Sequence, residues 1–355
     1  MAKRAVLLLA HGTPNTVEEI PDYLRNVVSG RPMPQHVVEE IQHRYSLIGE
    51  PKGHSPLTDL TLMQGELLAA ELGMPVYVGM RNWKPYIADV VKQMRSDGIE
   101  EAATICLAPQ NSRTSVGLYR RAALAEAGGM RLDFLEEWAE EPLLAEAFAD
   151  RLRAVLGRVS AEVGGADLEK RMAVLFTAHS VPCRTIQTPA TSLDGVNRIG
   201  EGKDAEGPET KGPETKGKSQ PIHWPAGKPG SAATPDPYPV EAKRTAQMVV
   251  DRVADIGAWY FAFQSQGASG GPWIGPSVQD TLGALAAEGT KAVILQPIGF
   301  LCDHVEILYD IDIDFREQAA KLGMRLERPE SLNGSVILTE ALAKLAREGF
   351  ARLDG

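Results

Sequence analysis

Cysteine is scarce in this 355-residue chain: Cys106, Cys183 and Cys302 are the only three, widely spaced and odd in number. Such usage suits a reducing compartment, provides no CxxC pair for a structural metal, and falls short of the roughly four thiolates an iron–sulfur cluster takes. Positive charge is also short. Against 47 Asp and Glu there are 37 Lys and Arg, a net charge of −10, so a nucleic-acid partner would lack the basic face it needs. A local basic pocket for a small acidic ligand stays compatible with that balance. No apolar run approaches the roughly 20 residues of a membrane helix. The start, MAKRAVLLLAHGTP, has too short an apolar stretch for a signal peptide and no small-residue cleavage site. The expectation is a cytoplasmic protein. Also absent are a GxSxG elbow, a GxxxxGKS/T loop and a strand-linked GxGxxG, which ranks a hydrolase or nucleotide-binding reading last.

What the chain does have is a globular balance, 43% apolar and 24% charged, and enough length for two packed domains. Short apolar runs at Arg4–Ala10, Val76–Gly79, Ala102–Leu107, Ala173–Thr177, Trp259–Gln264 and Ala292–Pro297 read as buried strands. Helical patterns lie between them: Val37–Ile48, Leu60–Leu72, Tyr86–Asp97, Val116–Ala127, Glu141–Leu156 and Val240–Ala254. The alternation predicts an α/β architecture of two Rossmann-like, doubly wound halves with parallel sheets flanked by helices. The expected division is residues 1–165 and 166–355, the second half carrying the chemistry and the final helix, about 335–352, packing on the first. One stretch, Gln187–Thr234, is rich in Gly, Pro, Thr, Lys and Glu and contains the tandem GPETKGPETKG at Gly207–Gly217. It has too little apolar surface to offset its ordering entropy and reads as a disordered surface insertion.

Two segments place polar groups at the C-terminal end of an apolar strand, where open α/β sheets bind ligands. AVLFTAHSVP delivers His179 just after its strand, and AVILQPIGFLCDHVEILYDIDID leads through a Gly turn into a helix bearing His304 and Glu306. Glu306, Asp310 and Asp314 recur every four residues, which lines three carboxylates along one α-helical face. Alone, a histidine after a strand is more often structural, and a carboxylate row more often a solvated face. Together, like charges without a compensating cation (Arg316 is the nearest basic residue on the helix) are easier to accept if a cation visits them. Imidazole and carboxylate both suit a divalent first-row metal such as iron(II).

These residues resemble the signature segments of the ferrochelatases: TAHSVP around His179, QSQG and PWIGPSVQD within Gln264–Asp280, and PIGFLCDHVEILYDID over Pro297–Asp312. LLLAHGTP, QHRYSLIG, VGMRNWKPYIADVV and LAPQNSRTSVGLYRRA follow the family's order, and DPYP at Asp236–Pro239 resumes it after the insertion. The resemblance implies two Rossmann-like domains with a cleft that binds porphyrin without a nucleotide, ferrous iron as substrate, and a monomer. It assigns His179 and Glu306 to opposite walls of that cleft, where they handle the metal and the pyrrole protons. His304 assists on Glu306's side, and Asp310 and Asp314 belong to an acidic row feeding metal inward. Trp273 matches a pocket tryptophan. Arg44, Tyr45, Ser55 and Tyr119 match positions holding the macrocycle and its propionates.

Three departures from the family concern the porphyrin's periphery. His11 stands where other members carry Tyr or Met facing the macrocycle, and is either an axial ligand to product iron or a loop residue capping a strand end. Val28 replaces an arginine of the Gram-positive branch, and the turn at Glu50–Pro56 is slightly long. The AHGTP start and the LAPQNSRTSVGLY stretch lean toward coproporphyrin III over protoporphyrin IX. Two rival readings stay open: a cobalt or sirohydrochlorin chelatase, disfavoured by PWIGPSVQD and DHVEILYD, and a non-catalytic porphyrin or haem carrier.

Overall fold

The structure is a computed structural model that describes residues 2–163, 171–183, 236–254, 256–266 and 272–355. The insertion read at Gln187–Thr234 lies outside the described residues. The chain forms two units, each built on a four-stranded parallel sheet flanked by helices. The first comprises Met1–Ala147, Leu301–Tyr309 and Ser331–Gly355, and the second Phe148–Phe300 and Asp310–Glu330.

In chain order, β1 (Arg4–Ala10), α1 (Ile20–Val27), α2 (Gln35–Ser46), α3 (Leu57–Leu72), β2 (Val76–Met80), α4 (Ile87–Ser96), β3 (Glu101–Cys106), α5 (Val116–Glu126) and β4 (Arg131–Leu135) make the first unit's sheet and its cover. The strand order is β2-β1-β3-β4, all parallel, so β1 lies where the winding reverses. Strand periodicity sorts the core. Ala5, Leu7, Leu9, Ala102 and Cys106 meet Ile87, Val91 and Met94 of α4 and Val116, Tyr119 and Ala123 of α5. The alternate face carries Val76, Val78 and Ala103, against which α3 and the last helix, α11 (Val336–Asp354), pack. Each fully buried leucine of β1 contributes on the order of 1.5–3 kcal/mol.

Helix α6 (Pro142–Val163) leads into the second unit: β5 (Met172–His179), α7 (Tyr238–Val250), β6 (Ala258–Gln264), α8 (Val278–Ala287), β7 (Ala292–Pro297), α9 (Val305–Leu308), a π-helical stretch (Asp310–Phe315), α10 (Arg316–Lys321) and β8 (Arg325–Glu327). Of these, α9 belongs to the first unit. The order β6-β5-β7-β8, again parallel, repeats the first sheet's winding with β5 at the reversal.

Several readings need correction. Strands β4 and β8 were not expected, because RLDFL and RLE are edge strands carrying polar residues and are only partly buried. Helices α1 and α8 also went unread. Strand β5 does not stop at Thr177; it runs through His179, which pairs in register with Gln264. His304 is not on a helix. It is the extended residue that caps α9, at φ −161° and ψ −175°. Finally, Asp310 and Asp314 lie on π turns, whose i→i+5 bonding is wider than an α-helix.

Helix α11 approaches β3 closely at Gly349, where an added Cβ would stand 2.9 Å from both the Ala103 Cβ and an Asp133 carboxylate oxygen. Gly349→Ala gains about 1 kcal/mol of helix propensity but overpacks at a cost of about 1–3 kcal/mol. Its expected net effect is a loss of up to about 2 kcal/mol, read as a lower denaturation midpoint at unchanged slope. A stabilised variant would show that α11 can move away from the sheet freely.

Candidate active site

In the first unit the candidate residues gather around the exit of β1. Gly12 turns the chain at φ +76°, where a side chain would strike Met80 at 2.6 Å. The turn is pinned by backbone bonds from Arg81 to Ala10 (3.0 Å) and from Asn82 to His11 (2.9 Å). The His11 ring protrudes, with Nε2 3.0 Å from the Tyr23 hydroxyl and the Asn82 side-chain nitrogen 3.2 Å away. Tyr23 in turn packs edge-on against Trp83. Behind this loop, Thr13 gathers hydroxyls. Its carbonyl accepts from Thr58 at 2.9 Å, its Oγ1 lies 3.3 Å from the fully buried Ser55 Oγ, and its side chain hydrogen-bonds Tyr45.

Burial first, and then the neighbouring Glu306 carboxylate, push the Tyr45 hydroxyl well above its ordinary range. Tyr23 is raised the same way, with Tyr45 and Glu306 adding to burial. The structure therefore brings Glu306, Tyr45, Tyr23 and His11 into one neighbourhood. Arg44 sits with its guanidinium 5.3 Å over the Tyr309 ring and pairs with Glu40. Tyr119 is buried in the sheet's core cluster beside Arg81. Desolvation lowers the pKa of half-buried Arg81; the Tyr119 hydroxyl opposes this, and the like charge of Arg121 adds to it.

His304 is buried beside Glu306, with Nε2 3.8 Å from a carboxylate oxygen. Its Nδ1 lies 3.0 Å from the Cys302 carbonyl. A carbonyl only accepts, so that bond places the ring proton on Nδ1 and leaves Nε2 as the basic nitrogen.

In the second unit His179 ends β5, its ring edge-on to Phe300 at 6.4 Å and its carbonyl accepting from the Tyr238 hydroxyl at 2.9 Å. The following residues bond to a second strand end: Ser180 donates to the Gln264 and Ile274 carbonyls at 2.7 and 2.8 Å. Trp273 is half-buried and bridges Pro182 across that exit. A polar run then continues from Thr177 to Gln264 (2.6 Å) and Ser265, whose hydroxyl donates to the buried Asp310 carboxylate at 2.6 Å. Asp314 accepts from Gln318 at 2.9 Å. Asp312 is gripped by Arg328 at 2.9 and 2.7 Å, so the acidic stretch has a cation from outside the helix, which the sequence reading lacked. Among the described residues no group of three or more His, Cys, Asp or Glu is arranged to hold a metal ion. Sequence reasoning also passed over Thr13, Tyr23, Arg81 and Asn82; the last two lie inside VGMRNWKP, a segment quoted for its resemblance without a role for either.

The ferrochelatase family model matches residues 3–350. The chain belongs to the ferrochelatase family. It is accordingly a lyase of haem biosynthesis that inserts metal into a porphyrin, with ferrous iron as substrate. The ferrochelatase of Acidobacterium capsulatum is 58% identical over 353 residues, covering 99% of this chain and 96% of the relative. The coproporphyrin III ferrochelatase of Geobacillus kaustophilus is 30% identical over 358 residues, covering 98% and 96%. Among solved structures, SirB from Bacillus subtilis with Fe3+ superposes with a TM-score of 0.50 at 11% identity, covering 99% of this chain and 98% of that one, a likeness of fold alone. Among the described residues of this ferrochelatase, no helix is long and apolar enough to cross a membrane.

The two partners of Asp312 differ in burial: the Arg328 side chain is 10% exposed, that of Arg316 49%. Arg328→Met should lower stability by about 1–3 kcal/mol, because it strands a partly buried carboxylate. Arg316→Met should change it by no more than about 0.5 kcal/mol. Equal effects in urea titrations would contradict this ranking.

Proposed function

We propose that this ferrochelatase inserts iron into coproporphyrin III. The observation that supports this substrate is the half-buried Arg81 just past the end of β2, whose charge is disfavoured first by desolvation and further by the like charge of Arg121 on α5. Two like charges, one of them partly desolvated, oppose each other in a chain that is acidic overall. A bound carboxylate relieves that repulsion, and coproporphyrin III brings four propionates where protoporphyrin IX brings two. The Geobacillus kaustophilus relative, a coproporphyrin III ferrochelatase, points the same way.

Insertion takes iron out of its water shell and replaces two pyrrole protons by one Fe2+. His179 is the residue we assign to the metal and to the first proton, as ligand, as base, or as both in sequence. His304 and Glu306 take the second proton: the basic Nε2 accepts it, and the carboxylate 3.8 Å away faces the charge that forms. Asp310 and Asp314 pass hydrated iron along, while Arg44, Tyr45, Ser55, Tyr119 and Trp273 define the macrocycle's surroundings. We assign His11 to the porphyrin-facing wall, since its ring is already engaged by Tyr23 and Asn82. Catalysis acts alone as a single chain in this reading.

Anaerobic assays with ferrous iron, run side by side on both porphyrins, should show multiple turnovers with the higher kcat/KM on coproporphyrin III. A preference for protoporphyrin IX would overturn the substrate assignment, and tight binding without turnover would overturn the enzymatic reading. In the same assay, His179→Ala should abolish turnover while leaving porphyrin binding mostly intact. Retention of more than half the activity would remove His179 from its role.

A further inference from the structure

His304 depends on a carbonyl, and that carbonyl is held from a distance. The Cys302 carbonyl that receives His304 Nδ1–H lies between two residues gripped by Asn333, thirty positions beyond Asp303. The Asn333 backbone N–H donates to Leu301 O at 2.8 Å. Its side chain closes a two-way bond with Asp303: Oδ1 accepts from the Asp303 backbone N–H at 2.9 Å, and Nδ2 donates to the carboxylate at 2.9 Å. Ser331 Oγ donates to the other carboxylate oxygen at 2.7 Å. The Asn333 carbonyl is itself held by Gln64 Nε2 of α3 at 2.8 Å. Asn333 adopts φ +43°, a left-handed conformation that asparagine tolerates better than most residues. Leu301, Cys302, Ser331, Leu332 and Gln64 are all buried around the half-buried Asp303 and Asn333, so the peptides the clamp holds are largely shielded from solvent.

We propose that Asn333 is a positioning residue for the reaction, fixing the peptides on either side of Cys302 so that the His304 ring stands with Nε2 toward Glu306. This rests on the assignment of His304 and Glu306 to proton removal. The side-chain amide is the essential part, because a residue needed only for its left-handed backbone would be replaceable by glycine.

The test uses the full-length protein with ferrous iron and the better porphyrin, comparing wild type, N333A, N333G, D303N and the double variant D303N/N333D. N333A and N333G should both lower kcat by roughly ten- to a hundredfold, the scale expected for a sub-ångström to 1 Å misplacement, with porphyrin affinity by fluorescence quenching unchanged within about twofold. The exchange D303N/N333D keeps the donation from the residue-303 backbone N–H to the residue-333 side chain and rebuilds the side-chain bond with donor and acceptor reversed, and should recover most of the kcat lost in D303N. Wild-type kcat in N333G would overturn the proposal, as would parallel loss of porphyrin affinity and kcat, which marks a merely structural loop. An exchange variant as slow as D303N would overturn it too, since charge at Asp303 and not geometry would then matter. N333G and the exchange keep a tolerated backbone, so the test stands if N333A does not fold. Absence of turnover in wild type would instead count against the catalytic reading itself.

Discussion

A strand covered on both faces has little room for a polar group except at its end, Thr104 within β3 being an exception, and this constraint organises both units. Along β1, β3, β5 and β7 nearly every residue is buried. An unpaired polar side chain there would carry a desolvation cost of a few kcal/mol. The chemistry is therefore displaced to the C-terminal tips, and in each sheet the strand at the reversal of winding carries a histidine there: His11 one residue past β1 and His179 as the last residue of β5. The two sequences, LLLAHGTP and LFTAHSVP, are parallel solutions to one geometric problem.

Around those tips the protein spends hydrogen bonds on orientation. Thr13 draws together Ser55, Thr58 and Tyr45, and Gln264 draws together Thr177, Ser180 and Ser265. In both cases neutral hydroxyls and amides make up most of the hydrogen-bonded network, with the charges of Glu306, Asp310 and Arg81 beside it. Neutral groups fix a geometry without competing for a metal dication. Charges set the field through which it and an anionic macrocycle approach.

The sheet interiors were legible because burial on both faces writes an uninterrupted apolar run: Arg4–Ala10 and Ala292–Pro297 were read to the residue. The edges were not, since Arg131, Asp133, Arg325 and Glu327 dilute the run wherever water reaches one side. His179, Glu306 and the acidic spacing were visible as residue types at strand ends. The π turns were not, because DIDIDF has the same four-residue recurrence on either kind of helix. Nor could local pattern show that Asn333 reaches Leu301, Asp303 and Gln64, or that Arg328 closes on Asp312; such partners are fixed by topology, at separations no periodicity encodes.

The first unit is closed by a segment made long after its strands. Helix α11 covers β3 and β4, burying Leu338, Leu342 and Leu345, yet it begins at Val336, long after β4 ends at Leu135. At roughly 5–20 residues per second, about ten seconds or more separate the emergence of β4 from that of its cover. The nascent N-terminal half therefore waits with the β3–β4 part of one sheet face bare, and vectorial synthesis cannot finish it first. The second unit can be complete in sequence by Glu330 while the first still lacks its final piece. The loop holding His304 is bonded by Asn333, and Asn333 belongs to that same late-made segment. A truncated or stalled product thus carries the signature residues without the clamp that orients them.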